Sequence, residues 1–331
     1  MRLYFLIVSV LATLLTNAQT LRKRTTTLMG SRWDITIVAK DSLTAENYID
    51  SVIAEVTRIE YLISDWKPQT QISRVNSNAG IQPTKVDREV LALTQRAIRV
   101  SEITNGAFDI SFAAMEKIWK FDGSMTEMPS PEAVKNAVKK VNYKNIVVDT
   151  ANGTIFLKEK GMRIGFGALG EGYAADRCRD LLKAKGIKAG IVNGSGDMST
   201  WGKQPNGKPW NIGVEDPFHR GNLLAVVPLK KSAVTTSGSY EKYAEINGVR
   251  YSHIINPATG YPATGLVSVT IFGASAEMCN AFSTSIMVLG KDAGLQLLEK
   301  YPGYSCILIS DQGTFYSSPD INLKKYRLSS Q

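Results

Sequence analysis

A glycine-rich segment at residues 165–172 combines residue types and spacing that could bind a phosphate group. It reads GFGALGEG and leads into a helix that the apolar spacing predicts over residues 168–185. Glycines allow a backbone to approach a ligand closely, and the free N–H groups at a helix N-terminus attract anions. The segment matches neither a P-loop nor G-x-G-x-x-G. On its residues alone, a structural turn and a phosphate site are therefore equally supported.

A second glycine turn, NGSGD at residues 193–197, follows a buried strand that is predicted over 187–193. In α/β sheets, ligands bind where such strands end. Two interpretations stay open at this position. The segment is either an ordinary strand-to-helix turn with a solvated Asp197, or a ligand site in which Asp197 orients other groups.

The chain has only two histidines, and they lie in different surroundings. His219 belongs to a polar loop, which indicates a surface residue. His253 lies in a predicted strand at 251–255, just before a Pro/Gly turn, and TSGSYE at 236–241 supplies hydroxyls nearby. A lone strand histidine is more often structural, but these neighbours favour a functional role for His253.

Asn280 and Thr284 are four residues apart in a predicted helix and therefore share one of its faces. Both offer oxygen atoms, and hard oxygen donors suit Mg²⁺. The alternative is a polar patch on an amphipathic helix. With no carboxylate at position 280, the two residues alone favour that simpler interpretation.

Hydrophobic periodicity predicts the helices and strands that must hold these groups. Alternation around Met29-Gly30 indicates strand structure over 25–39, and Asn152-Gly153 joins a hairpin. Residues 64–80 read as a polar connection. The predicted helices span 43–63, 87–104, 130–140, 168–185, 275–289 and 293–301. Further strands are predicted at 145–148, 154–157, 187–193, 210–214, 223–228, 232–236, 251–255, 267–272 and 305–310. This pattern predicts an α+β (mixed α/β) class with a largely antiparallel sheet.

Composition limits the class of protein and its partners. The chain has 331 residues, 44% hydrophobic and 21% charged, which suits one large domain or two closely packed ones. These values exclude a disordered, collagen-like or coiled-coil protein. The net charge of +9 fits either a solubilising surface or attraction of a polyanionic ligand. Because no basic run is interleaved with aromatic residues, we expect no nucleic-acid partner.

The three cysteines do not indicate a disulfide framework or a zinc site. Cys178, Cys279 and Cys306 are odd in number and form no C-x-x-C. Cys178 and Cys279 lie on apolar helical patterns, which favours buried, inert thiols. Oxidation of one pair outside the cytoplasm stays open.

The N-terminal segment 1–18 is typical of a secretory signal. Arg2 precedes an apolar run from Leu3 to Leu15, and small or neutral residues lead to predicted cleavage after Ala18. A membrane anchor is the alternative, but about 20 apolar residues are needed to span a bilayer. No lipobox cysteine follows the run. We therefore expect an exported, periplasmic protein with one domain over 19–331, soluble or peripheral at the inner membrane.

Taken in order, these motifs resemble the ApbE family of FAD:protein FMN transferases. The matching segments cover almost the whole chain after residue 18. They are Met29-Gly30, TNGAFD at 104–109, GYAAD at 172–176, NGSGD at 193–197, TSGSYE at 236–241, HIINPATG at 253–260, and Ser283-Thr284 before Leu289-Gly290. So many motifs in one order make a chance match very improbable.

The resemblance implies a fold and a set of site residues. The expected fold is a T-fold-like sheet with packed helices and FAD in a cleft between two subdomains. The resemblance implies Mg²⁺ ligands at the backbone carbonyl of Ala168 and the side chains of Asn280 and Thr284. The implied FAD contacts are Met29, Trp66, Ala107, Phe108, Asp109, Gly165, Glu171, His253 and Ile254.

The resemblance also implies an activity and its partners. FMN would pass from FAD to a Thr or Ser hydroxyl of an acceptor flavoprotein subunit in a membrane redox complex, with release of AMP. Mg²⁺ would neutralise charge on the phosphate oxygens. His253 is the catalytic candidate, and it either assists the acceptor proton or only hydrogen-bonds phosphate.

The chain departs from the family pattern at several site positions. Many members carry aspartate in place of Gly165, lysine in place of Glu171 and aspartate in place of Asn280, and Asn256 replaces a further aspartate. These changes concern phosphate and metal binding rather than the fold. Two other functions therefore stay open: a non-catalytic periplasmic FAD-binding protein, and a pyrophosphatase that splits FAD into FMN and AMP.

Overall fold

The computed structural model describes residues 19–115, 118–219 and 221–326. The predicted signal segment 1–18 lies outside these ranges. Eight helices occur in the described ranges: α1 (Ser42–Ile63), α2 (Gln71–Ser77), α3 (Arg88–Ile103), α4 (Pro131–Val138), α5 (Gly170–Ala184), α6 (Ala276–Leu289), α7 (Lys291–Glu299) and α8 (Leu323–Tyr326). Two 3₁₀ turns span Ile110–Met115 and Tyr143–Asn145.

Eight strands form one antiparallel sheet in the order β1-β2-β6-β7-β10-β13-β14-β15. They are β1 (Thr20–Leu28), β2 (Ser31–Ala39), β6 (Ala189–Gly194), β7 (Asp197–Trp201), β10 (Ala233–Gly238), β13 (Leu266–Gly273), β14 (Ser305–Ser310) and β15 (Phe315–Ser317). This large antiparallel sheet with packed helices confirms the predicted α+β class.

Three small sheets complete the architecture. They contain β3 (Thr84–Lys85) with β5 (Thr154–Leu157) and β4 (Ile146–Asp149), then β8 (Asn211–Glu215) with β9 (Leu223–Pro228), and finally β11 (Tyr243–Ile246) with β12 (Val249–Ser252). The β4–β5 hairpin and the β8 and β9 strands were predicted within a residue or two, because each carries a clear alternation between turn residues.

The large sheet is buried on both faces. Helices α1, α5 and α6 pack on one face, over Trp33, Ile35 and Ile37 of β2. The β8–β9 hairpin covers the other face, where Val38 and Phe272 belong to a second apolar cluster. Because successive strand residues point to opposite faces, such double covering explains the continuous burial of residues 35–39 in β2 and 305–309 in β14.

Helix α1 shows how the sequence sets these elements. Asp41 accepts a hydrogen bond from the backbone N–H of Thr44 at 2.7 Å, which caps the first turn. Apolar residues at helical spacing, among them Ile49, Val56 and Ile63, are buried against the sheet. The helix therefore begins at a capping signal and is held by one apolar stripe.

Two local predictions were wrong, and one of the two interpretations left open for residues 193–197 is excluded. Residues 193–197 do not form a strand-to-helix turn, because Asp197 begins β7 and pairs back along β6. The polar stretch 64–80 contains helix α2, which the Thr70 hydroxyl caps. His253 lies beyond the end of β12 rather than inside a strand, because the Asn256–Tyr261 turn, closed by a hydrogen bond at 2.9 Å, draws the chain out of the sheet.

Candidate active site at the entrance of helix α5

The β1–β2 turn lies against the first turn of α5. Met29 and Gly30 occupy the turn with positive φ angles of 52° and 75°. The Ser31 hydroxyl donates to the Glu171 carboxylate at 2.6 Å. A Cβ atom added to Gly170 would lie 3.4 Å from Met29 Cε. The structure therefore brings two predicted FAD contacts, Met29 and Glu171, to one place.

Helix α5 begins without a side-chain cap. Leu169 precedes it and supplies no side-chain cap, while the Gly170 N–H donates to the Phe166 backbone carbonyl at 2.6 Å. By contrast, α6 is capped by the Ser275 hydroxyl, which accepts from Met278 at 3.2 Å. An uncapped N-terminus carries positive partial charge and backbone donors that suit an anion.

Helices α5 and α6 touch closely at Gly172. A Cβ atom there would lie 2.5 Å from the backbone oxygen of Ala276, so only glycine permits this approach. Ala168 lies four residues before this contact in the chain, and Asn280 lies four residues after Ala276. The contact thus brings the segments that carry the predicted metal ligands toward each other.

Asp197, Asn280 and Thr284 form a hydrogen-bonded group beside this contact. The Asn280 amide donates to the Asp197 carboxylate, and the Thr284 hydroxyl donates to Asn280 Oδ1 at 3.4 Å. Burial raises the pKa of Asp197 well above its usual range, and the negative charge of Glu171 raises it further. The sequence named Asp197 only as a possible orienting carboxylate, since a side chain's partner across the sheet leaves no local pattern.

The oxygen atoms of this group are suitable ligands for a hard divalent cation. Asn280 Oδ1 and Thr284 Oγ1 are adjacent oxygen atoms, and a buried carboxylate lies directly behind them. In the ranges that the structure describes, no group of three or more His, Cys, Asp or Glu side chains is placed to hold a metal. A metal here would therefore be held by carbonyl, amide and hydroxyl oxygens rather than by a carboxylate cluster.

A third part of the site contains Glu241, Lys242 and His253. His253 Nδ1 donates to the backbone carbonyl of Lys242 at 3.0 Å. Burial lowers the pKa of His253, so the ring is neutral and its Nε2 keeps a lone pair. Burial also raises the pKa of Glu241 to about 7, and the charges of Glu215 and Glu171 add to the shift. The charge of Glu171 acts on Glu241 and the charge of Lys242 acts on Glu171, so this part of the site lies near the α5 entrance.

Gly165, the first residue of the glycine segment, packs against Asp65, which precedes Trp66 in the chain. A Cβ atom on Gly165 would lie 3.2 Å from Asp65 Oδ2 and 3.1 Å from Ala113 Cβ. The Asp65 carboxylate thus occupies the space beside Gly165. The Trp66 side chain is 77% exposed, which leaves a flat aromatic surface open to a ligand.

The remaining predicted contacts are buried in the protein. Ala107, Phe108 and Ile254 are at most 8% exposed. The Asp109 carboxylate accepts from the Ser111 hydroxyl at 2.6 Å and from the Tyr143 backbone N–H at 2.9 Å. These bonds show that Asp109 organises its own loop, and its contact with FAD stays a prediction.

Cys178, Cys279 and His219 match their predictions. Cys178, Cys279 and Cys306 are free and buried. His219 is exposed and lies 3.0 Å from Asp216. Throughout the described ranges, no helix combines the length and apolar character needed to cross a bilayer.

Several known proteins resemble this chain in sequence or in fold. The FAD:protein FMN transferase of Klebsiella pneumoniae is 30% identical over 291 residues, covering 86% of this chain and 83% of that protein. That of Treponema pallidum is 31% identical over 276 residues, covering 79% and 76%. The crystal structure of the ApbE protein of Thermotoga maritima matches with a TM-score of 0.84 at 29% identity, covering 94% of this chain and 100% of that one.

The fold, the glycine entrance to α5 and these relatives define an enzyme of the transferase class. The flavin transferase ApbE of Vibrio cholerae shows the same fold, with a TM-score of 0.80 at 24% identity. The sequence profile of the ApbE family matches residues 29–308. This chain therefore belongs to the ApbE family.

Proposed function

We propose that this chain transfers FMN from FAD to a Thr or Ser hydroxyl of an acceptor flavoprotein subunit, with Mg²⁺ bound and AMP released. The observation that carries the proposal is the uncapped start of α5 beside the Asp197–Asn280–Thr284 group. This arrangement places anion-binding backbone donors next to oxygen ligands for a divalent cation. A dinucleotide diphosphate with its cation matches both.

Binding and orientation fall to named groups of the chain. Backbone N–H groups at the start of α5 would hold the diphosphate, while Trp66 offers a surface for an aromatic ring. Asn280, Thr284 and the Ala168 carbonyl would hold Mg²⁺, which supplies charge neutralisation at the phosphate oxygens. Glu171 is tied to Ser31, and burial raises its pKa, so its repulsion of phosphate is reduced.

The transfer step forms one bond and breaks one bond. The acceptor oxygen attacks the FMN phosphorus, and the bond from that phosphorus to the oxygen bridging to AMP breaks. His253 can accept the acceptor proton at Nε2, because Nδ1 is committed to the Lys242 carbonyl and the ring is neutral. In-line positioning and electrostatics supply most of the rate in such reactions.

The deciding experiment mixes purified protein lacking residues 1–18 with FAD, Mg²⁺ and a soluble acceptor domain from a membrane redox complex. We expect covalently flavinylated acceptor and an equal amount of AMP, both lost when a chelator replaces Mg²⁺. If the protein binds FAD but releases no AMP when it is tested with several acceptors, the transferase is contradicted and a binding protein is favoured. The double variant Glu171→Lys, Asn280→Asp should then create activity. Free FMN without any acceptor would instead indicate a pyrophosphatase.

The proposed acceptors face the periplasm, and the segment 1–18 supports export of this chain to the same compartment. Expression of the full chain in a Gram-negative host tests the export step. We expect recovery in the periplasmic fraction with Gln19 as the first residue. A full-length chain retained in the membrane fraction would contradict cleavage after Ala18.

A further inference from the structure

A groove of about 360 Å³ lies between α4 and the turn at residues 256–262, away from the entrance of α5. Its lining includes the apolar side chains of Val134 and Val138 together with Lys135 and Lys139. Tyr261, which is 36% exposed, also lines the groove. This volume is in the range of pockets that enclose a ligand group, so it can take one or two inserted side chains.

The groove has a fixed shape because its two walls are locked together. Gly260, with φ of +76°, lies so close to α4 that a Cβ atom would be 2.6 Å from Val134 and 2.8 Å from Val138. The Trp119 indole N–H donates to the Gly260 carbonyl at 2.9 Å. A preformed groove of this kind loses little entropy when a partner binds.

The charged side chains that line the groove, Lys135 and Lys139, are both positive. Lys135 and Lys139 are four residues apart on α4, so they share one face of the helix. Neither ammonium group has a carboxylate within 4.0 Å among residues 19–115, 118–219 and 221–326, and the Lys139 ammonium is 3.3 Å from the Asn136 amide oxygen. Among the residues that the structure describes, no acidic side chain lines the groove. Its complement is therefore an acidic segment.

A row of aromatic contacts connects the groove to the reacting end of the site. Tyr261 meets Trp119 edge-on with ring centres 6.3 Å apart, and Trp119 stacks on Phe121 at 6.1 Å. Phe121 then meets His253 edge-on at 6.3 Å. An extended chain advances about 3.3 Å per residue, so roughly six residues are the most needed to span the distance from Tyr261 to His253.

We infer that this groove is the docking site for the acceptor protein, which inserts an apolar side chain flanked by acidic residues. The inference rests on the proposed transfer to a protein hydroxyl. It adds the surface that holds the acceptor while its hydroxyl reaches His253. Attraction by paired lysines speeds encounter and fixes the register of the bound segment.

The test is the charge-reversal pair Lys135→Glu, Lys139→Glu, measured for binding to the acceptor domain in the presence of FAD and Mg²⁺. The matched control is Lys183→Glu, Lys185→Glu at the far end of α5, where both residues are exposed. We expect the dissociation constant for the acceptor to rise about tenfold only in the groove variant. The affinity for FAD should change less than twofold in both variants, and melting temperatures show that both are folded.

The outcomes separate the docking site from the proposed function. Equal acceptor affinity in the groove and control variants would overturn the docking site while leaving transfer intact. A wild-type protein that binds the acceptor through the lysines but transfers nothing would overturn the transferase and leave the docking site standing. If wild-type protein does not bind the acceptor at all, the docking inference is wrong. The neutral pair Lys135→Gln, Lys139→Gln should lower the affinity for the acceptor by an intermediate amount.

Discussion

At the scale of single residues, Asp197 carries the clearest physical consequence. Its carboxyl group is buried and faces the charge of Glu171, so its pKa in the folded protein is raised well above its ordinary value, although the hydrogen bond from Asn280 acts in the opposite direction. Between these two pKa values the folded protein binds a proton that the unfolded chain has lost. The free energy of unfolding therefore falls as pH rises through this window.

Asp197→Asn should remove this fall in the free energy of unfolding with rising pH. In the presence of a chelator, we expect the melting temperature of the wild-type protein to fall more steeply than that of the variant from pH 5 upward. The amide keeps an oxygen that accepts from Asn280, so the variant should fold. Asp311→Asn changes an exposed carboxylate in the same way and should follow the wild-type curve. Parallel curves for wild type and Asp197→Asn would show that Asp197 titrates normally.

Sequence alone predicted some residues of this site and missed the links between them. Asn280 and Thr284 were paired by helical spacing, and the structure places their oxygens 3.4 Å apart. The Asp197–Asn280 bond joins residues 83 positions apart and has no local signature. The same holds for Asp65 beside Gly165, because a side chain that fills a glycine's space is set by tertiary packing.

At the scale of elements, the contact between α5 and α6 fixes the geometry of the site. Gly172→Ala places a Cβ atom 2.5 Å from the Ala276 oxygen, so the helices must move apart. Overpacking of this kind costs about 1–3 kcal/mol. We expect a lower melting temperature and weaker FAD binding, because the start of α5 moves relative to Asn280.

Gly167→Ala is the matched control for that variant. It adds the same methyl group to the same glycine segment, but nothing lies within 4 Å of the new atom. Its melting temperature should stay close to that of the wild-type protein. If Gly172→Ala proved as stable as Gly167→Ala, measured by thermal and urea unfolding, the close helix contact would not constrain the site.

Elements with long periodic patterns were predicted well, and short ones were not. Helix α1 differs by one residue at its start from the predicted 43–63. Helix α2 was missed because seven mostly polar residues carry too little periodic signal. The β6–β7 hairpin was missed because Asp197 begins a strand although its residue type favours turns. Register and strand order depend on contacts far apart in sequence.

At the scale of the whole molecule, charge is divided between surface and site. The net charge of +9 draws anions toward the protein. The site itself contains Glu171, Asp197 and Glu241, whose pKa values are all raised by burial. Where these carboxyl groups are ionised, long-range attraction and local repulsion oppose each other for a ligand that carries a diphosphate.

A divalent cation would relieve this repulsion, so under the proposed function we expect FAD binding to depend strongly on Mg²⁺. A ligand at 100 times its dissociation constant stabilises a protein by about 2.7 kcal/mol. In the presence of Mg²⁺, we expect FAD to raise the melting temperature by the amount that corresponds to this stabilisation free energy. In the presence of a chelator, the rise should be much smaller. Sodium chloride at matched ionic strength is the control, because screening alone acts on surface charges. Equal stabilisation by FAD with and without Mg²⁺ would show that the start of α5 binds the diphosphate unaided, and that the carboxylates do not face it.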